Sequence, residues 1–212
     1  MFSVYFAGEL FSAKHLIGNA MLADAIARCS QRKFICILPQ ALEPRQNQPK
    51  SIRDQDILTL LDCDLALFNF DGPELDSGTV VEFLFAKFAD IPALLLRTDF
   101  RASGDQPGDP WNLMNSFYPR TNVLRVNSMD VYQSALHREK QGSDPNQILV
   151  DQIAERVIDE LDSLSKLTPI LSKDLAEPVY RWISQMPGFE SAESAERVLA
   201  ILEQKRSRHL LP

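Results

Sequence analysis

Asp76-Ser77-Gly78-Thr79-Val80-Val81-Glu82 sets two carboxylates six residues apart across a glycine. The run follows an apolar, strand-like segment at residues 65–70 and opens a helical pattern over residues 79–89. Glu82 therefore reads as an acid in the first turn of a helix at the carboxyl end of a strand, where open α/β sheets bind ligands. A glycine there lets a ligand approach the backbone, and the positive end of the helix favours an ionised side chain. An ionised, positioned carboxylate is what a carboxylate nucleophile requires. Thr79-x-x-Glu82 also spells a capping box, in which the glutamate only satisfies a backbone N–H. The heptapeptide alone leaves both readings open.

The elements that would position these groups alternate. Strand signals cover residues 2–7, 34–38, 65–70, 92–96 and 122–126, and helical periodicity covers 12–30, 52–61 and 79–89. In the first helix Leu16, Met21, Leu22, Ile26 and Ala27 make the apolar face. Residues 40–49, with Pro44 and Pro49, read as a polar loop, and residues 100–119 as a long irregular one. Long loops of that kind are uncommon unless functional. Alternating strands and helices predict an α/β fold, a doubly wound, flavodoxin- or Rossmann-like sheet of five mostly parallel strands flanked by helices. Beyond residue 126 only helices are predicted, at 147–164, 175–186 and 192–206, the last two separated by Pro187-Gly188. The expected organisation is an α/β domain over residues 1–165 and a helical C-terminal extension over 166–212 that covers sheet or subunit surface.

With 212 residues, 45% of them apolar and 24% charged, the chain can bury a sizeable core. Its net charge of −7 argues against nucleic acid as a partner. The longest apolar runs are too short to cross a bilayer, and the first residues carry no basic leader, so a cytoplasmic protein is expected. Cys29, Cys36 and Cys63 are odd in number and lack metal-ligand spacing, which suggests buried free thiols in a reducing compartment. His15, His137 and His209 are scattered and form neither a zinc site nor a triad. The basic cluster Lys205-Arg206-Ser207-Arg208 reads as a solvated tail.

Four further features join the opening motif. Tyr5-Phe6-Ala7-Gly8-Glu9-Leu10-Phe11 puts a tyrosine near the end of the first strand and a glycine turn after it. Arg53-Asp54-Gln55-Asp56 opens the helix before the third strand; Asp71-Gly72 follows that strand; Trp111-Asn112-Leu113-Met114 sits in the long loop. Taken together, from about Ser3 to Val126, the chain resembles the nucleoside 2-deoxyribosyltransferase family. The resemblance implies exchange of the nucleobase of a (2′-deoxy)ribonucleoside by retaining double displacement, with Glu82 attacking C1′ to form a covalent glycosyl-enzyme. It implies that Tyr5 holds the Glu82 rotamer, that Asp76 binds the sugar hydroxyls, and that Asp56, with Asp54 as its rival, binds or protonates the departing base. Gly8, Phe11, Asp71 and Gly78 are implied as substrate contacts. Asn112 and Met114 are implied to reach a neighbouring subunit's site, in a dimer or a hexamer of dimers. Nucleosides and free nucleobases would be the partners, with no cofactor and no metal. The long loop and the C-terminal helices depart from the compact members of the family and leave the base preference open.

Three other readings compete. A nucleoside 5′-monophosphate glycosidase of related fold would need phosphate donors, which the Ser77-Gly78-Thr79 turn could supply at a helix N-terminus, against the charge of Asp76. A phosphoribohydrolase of the Gly-Gly-x-Gly-Thr-x-x-Glu type is matched only at Gly78, Thr79 and Glu82. A nucleotide-sensing module without chemistry would have no need to keep Glu82 together with its orienting groups.

Overall fold

The computed structural model describes residues 1–42, 48–101, 104, 107–139 and 144–212. Parts of the polar loop (43–47) and of the long loop (102–103 and 105–106) lie outside the described residues. Five parallel strands, β1 (Phe2–Ala7), β2 (Phe34–Ile37), β3 (Leu65–Asn69), β4 (Ala93–Arg97) and β5 (Thr121–Arg125), form one sheet in the order β2-β1-β3-β4-β5. This is the doubly wound arrangement, and the order of connection reverses between β1 and β3. The helices are α1 (Ala13–Cys29), α2 (Pro49–Asp62), α3 (Ser77–Phe88), α4 (Ser128–Glu139), α5 (Pro145–Leu164), α6 (Lys173–Gln185) and α7 (Ala192–Ser207).

Alternation along the strands divides the core into two layers. Tyr5, Ala7, Ala66, Phe68, Phe70 and Leu95 face α2, α3, α6 and α7, whereas Val4, Phe6, Leu65, Leu67, Leu94 and Leu96 face α1, α4 and α5. Tyr5 is thus directed toward α3 by its odd position in β1. The apolar strands, covered on both faces, match the near-continuous runs read from the sequence.

Several boundaries move, each for a local reason. Pro49 begins α2 rather than ending a loop, because a proline at the first helical position gives up only an N–H that would have no partner. Asp144 caps α5 with Pro145 behind it, and α4 is a helix that the sequence pattern did not reveal. In α1 the buried side chains are Asn19, Leu22, Ala25 and Ile26, while Leu16 and Met21 are exposed. Asn19 is inward because its Nδ2 donates to the Glu9 carbonyl at 3.0 Å. The cysteines are free, but only Cys63 is buried; Cys29 and Cys36 are half-buried.

The basic C-terminal cluster is not a solvated tail. Lys205 is buried and donates to the Cys63 carbonyl at 2.5 Å, and Arg208 forms a two-pronged pair with Asp64 at 2.5 and 2.8 Å. Burial lowers the Lys205 ammonium to about 8. Asp90, at the end of α3, accepts from the Ile170 and Leu171 amides at 2.7 and 2.9 Å and pairs with Arg120. These contacts fasten residues 166–212 to the N-terminal edge of the sheet. Ala176, Tyr180, Ile183, Val198, Ile201, Leu202 and Leu211 of this segment join the same apolar cluster as Tyr5 and Phe83.

Among the described residues, no helix is long and apolar enough to cross a membrane. Because the extension completes a core layer, a fragment of residues 1–165 is expected to lose cooperative thermal unfolding, followed by far-UV circular dichroism. A fragment that melts sharply at the full-length midpoint would show instead that the extension is a separable unit.

Candidate functional site

Asp76 is the N-cap of α3. Its Oδ2 accepts from the Thr79 amide at 2.7 Å and from the Thr79 hydroxyl at 2.8 Å. The helix therefore starts at Ser77, and Glu82 lies in its second turn rather than its first. This removes the capping-box reading, since an Asp cap uses the N-terminal amides and the Glu82 side chain is committed elsewhere. The Tyr5 hydroxyl donates to Glu82 Oε1 at 2.6 Å, a bond between β1 and α3. Asp76 Oδ2 would lie 3.1 Å from a Cβ added at Gly78, a tight approach that glycine avoids.

The electrostatics differ from the sequence expectation. Glu82 is not held firmly ionised by the helix end. Burial pushes its carboxyl up to about 7, with Asp56 and Asp76 adding like charge, while the Tyr5 hydrogen bond works in the opposite direction. The Tyr5 hydroxyl is itself raised well above its ordinary value, first by burial and then by the Glu82 and Asp56 charges, so it stays protonated and remains a donor. Glu82 is thus poised to change charge near neutral pH, which is frequent at functional sites.

Glu82 opens into a cavity of about 670 Å³ lined also by Asp56, Arg53, Ser77, Gly78, Val81, Phe85, Met186 and Pro187. Its size is that of a small-molecule pocket, apolar with a few polar groups. Asp54 and Asp56 are two positions apart on α2 and so cannot share a face. Asp56 faces the cavity, whereas Asp54 is buried, pairs with Arg53 and accepts from the Glu190 amide at 2.8 Å. The sequence left these two acids as rivals; their environments separate them.

The remaining sequence candidates are dispersed. Asp76 directly precedes Ser77 and Gly78 at the cavity. Gly8 follows β1, where an added Cβ would meet the Asn69 Cβ at 3.1 Å, and Phe11 is exposed and does not line the Glu82 cavity. Asp71 lines a second cavity on the α1 side, of about 470 Å³. Both its oxygens are occupied: they accept from the Thr98 amide (2.5 Å), the Thr98 hydroxyl (2.6 Å) and the Asp99 amide (2.8 Å). In this position Asp71 ties the loop after β3 to the end of β4. Asn112 caps a single 3₁₀ turn, Leu113–Asn115, by accepting from the Met114 amide at 2.9 Å. Neither Asn112 nor Met114 lines the Glu82 cavity, and Met114 and Phe117 are strongly exposed. Among the described residues no cluster of His, Cys, Asp and Glu could hold a metal.

Met186 and Pro187 were missed by sequence reasoning. They lie far from Glu82 along the chain, and Pro187-Gly188 signalled only a break between helices. Phe85 had a usable signal, three residues after Glu82 on one helix, and Val81 lies four before Phe85.

In comparisons with known proteins, no curated protein matches the chain. Among solved structures, a conserved protein from Enterococcus faecalis V583 is similar at 22% identity, with a TM-score of 0.48, covering 77% of this chain and 98% of its own. A 2-desoxiribosyltransferase from Leishmania mexicana is similar at 21% identity, with a TM-score of 0.44, covering 55% and 87%. The model of the family described as nucleoside 2-deoxyribosyltransferase matches residues 4–114, just over half of the chain, a stretch that includes Tyr5, Asp56, Asp76 and Glu82. The chain belongs to the nucleoside 2-deoxyribosyltransferase family.

Proposed function

We propose that the protein exchanges the nucleobase of a (2′-deoxy)ribonucleoside through a glycosyl ester on Glu82. The observation that carries this reading is the 2.6 Å bond from Tyr5 to Glu82 in a cavity that also presents Asp56. A carboxylate that is buried, orientable and able to lose its proton near pH 7 suits a nucleophile better than a structural acid. Tyr5 engages Oε1 and so holds the Glu82 rotamer. In the first half-reaction a Glu82 oxygen forms a bond to C1′ as the N-glycosidic bond breaks, and its electron pair leaves with the base. A proton relayed from water by Asp56 lets the base depart neutral. In the second, an incoming base attacks C1′ from the opposite face, passes its proton through Asp56 to water and frees the Glu82 carboxylate. Two inversions retain the configuration. Asp76, with Oδ2 used in the α3 cap, would offer Oδ1 to the sugar hydroxyls.

Leu113, Met114 and Phe117 form an exposed apolar loop unusual for a monomer's surface. This supports a dimer in which Asn112 and Met114 of one protomer complete the sugar end of the other's site. Arg53 and the Ser77-Gly78 turn in the same cavity favour, as a second reading, a nucleoside 5′-monophosphate donor with water as acceptor.

Incubation with 2′-deoxyinosine and adenine, followed by chromatography, tests the proposal. Formation of 2′-deoxyadenosine without free sugar is the expected result. Hypoxanthine with free deoxyribose, or cleavage only of a 5′-monophosphate, would favour the hydrolase instead. Glu82→Ala should abolish exchange with the fold retained; residual activity of more than a few per cent would refute the nucleophile.

The pH profile carries a signed expectation. Because ionised Glu82 is the reactive form, kcat/KM should rise with pH through about 7. Tyr5→Phe removes the bond that lowers the Glu82 value and should move this limb to higher pH. Asp56→Asn removes a like charge and should move it to lower pH, at a reduced maximum. Shifts in the same direction for both variants would contradict this account.

Mixing inactive Glu82→Ala with weakened Asn112→Ala should restore one good site per mixed dimer. No recovery in mixtures would mean that each site is built from a single protomer.

A further inference from the structure

One wall of the Glu82 cavity comes from outside the family-matched residues 4–114: Met186 and Pro187, at the turn between α6 and α7. We infer that this turn is the nucleobase-selecting wall of the cavity, with Met186 the side chain on which the heterocycle rests and Asp54 the residue that positions it. The inference deepens the transferase reading, on which it rests for the sugar, but its ligand is a planar nitrogen heterocycle whose binding can be read without turnover.

The turn is built to stay in place. Gly188 adopts a left-handed φ of +58°, and its amide donates to the Gln185 carbonyl at 3.1 Å, so the chain reverses tightly after α6. Phe189 then packs on the core, and the Glu190 amide donates to buried Asp54 at 2.8 Å. Asp54 sits two residues before Asp56 on α2. One helix therefore presents the acid that would meet the edge of the base and anchors the wall that would meet its face.

Met186 itself is not consumed by that packing. Tyr180 and Ile183 hold α6 on the core at 0% and 1% exposure, while Met186, at the end of the same helix, keeps 43% of its surface and lines the cavity. Val81 and Phe85 of α3 contribute further apolar surface around Asp56 and Glu82. A heterocycle has apolar faces and hydrogen-bonding edges, and this cavity supplies both kinds of wall. An unbranched thioether adapts to rings of different size and makes favourable sulfur–aromatic contacts. The wall thus suits both one-ring and two-ring bases, with its shape set by Met186.

Calorimetric titration of the full-length protein with free adenine, and separately with cytosine, tests this, alongside base exchange by the same preparations. Met186→Ala should weaken adenine binding by ~10-fold or more, the effect of removing apolar contact in a pocket, and weaken cytosine binding less. Met186→Leu, of similar volume, should restore affinity to near the wild-type value. Asp54→Asn should weaken both bases although it touches neither. In exchange, Met186→Ala should raise KM for the acceptor base more than it lowers kcat. Unchanged base affinity in Met186→Ala, or no binding of either base by the unaltered protein, would overturn the inference. Base binding that depends on Met186 without any sugar transfer would uphold the wall and sink the transferase reading. Transfer that is indifferent to Met186 would do the reverse.

Discussion

The Tyr5 hydroxyl on Glu82 Oε1 is the contact around which the site is arranged. It crosses from a central strand to the second turn of α3, at the point where the sheet reverses its order of connection. Raising a glutamate from 4.5 to about 7 corresponds to an ionisation cost on the order of 3 kcal/mol. Without a donor, burial beside Asp56 and Asp76 would hold Glu82 in its acid form at neutral pH. With Tyr5 in place the charged form stays within reach. Tyr5 can do this at any ordinary pH because its own proton is held tightly by the same burial and the same charges. The geometry and the electrostatics thus have one cause.

Each neighbouring acid has a second task that fixes its place. Asp76 caps α3, and the cap sets where the helix begins, hence the phase at which Glu82 meets the sheet. Asp54 is spent on the Glu190 amide, which leaves Asp56 as the α2 carboxylate that faces the cavity. Asp71 is spent on Thr98 and Asp99 and steadies the loop after β3. Carboxylates are costly to bury unless hydrogen-bonded. Asp54 and Asp71 satisfy backbone amides, whereas Glu82 and Asp56 face the cavity.

This division explains what the sequence could reveal. The strands were legible because both faces of a parallel sheet are covered and their residues are nearly all apolar. Tyr5, Asp56, Asp76 and Glu82 were legible as types at characteristic spacings, and the family match covers them. Helix starts were less legible, since they turned on single side chains: Asp76 rather than Thr79 for α3, and Pro49 at the head of α2. The α4 helix escaped notice because, among its described residues, the buried apolar ones are Val131 and Ala135. Lys205 and Arg208 look like a solvated tail in sequence; only the fold brings Cys63 and Asp64 to them. The ionisation of Glu82 was misjudged for the same reason, because burial is a tertiary property that a helix position does not report.

The C-terminal segment shows how a distant piece of chain can reach a site reproducibly. Apolar packing of Tyr180, Ile183, Val198, Ile201 and Leu202 drives it onto α2 and α3, but such packing is non-directional. Direction comes from polar contacts at two separate places. At the N-terminal edge of the sheet, Asp64 takes Arg208 and Asp90 takes the amides of Ile170 and Leu171. Beyond Pro187 at the cavity wall, buried Asp54 takes the Glu190 amide. Contacts to buried carboxylates add little net stability compared with apolar replacements, yet a misplaced partner leaves a buried charge unpaired. A slip of the extension along α2 would break the contacts at both places, so the register that satisfies them is the one that delivers Met186 to the wall of the cavity.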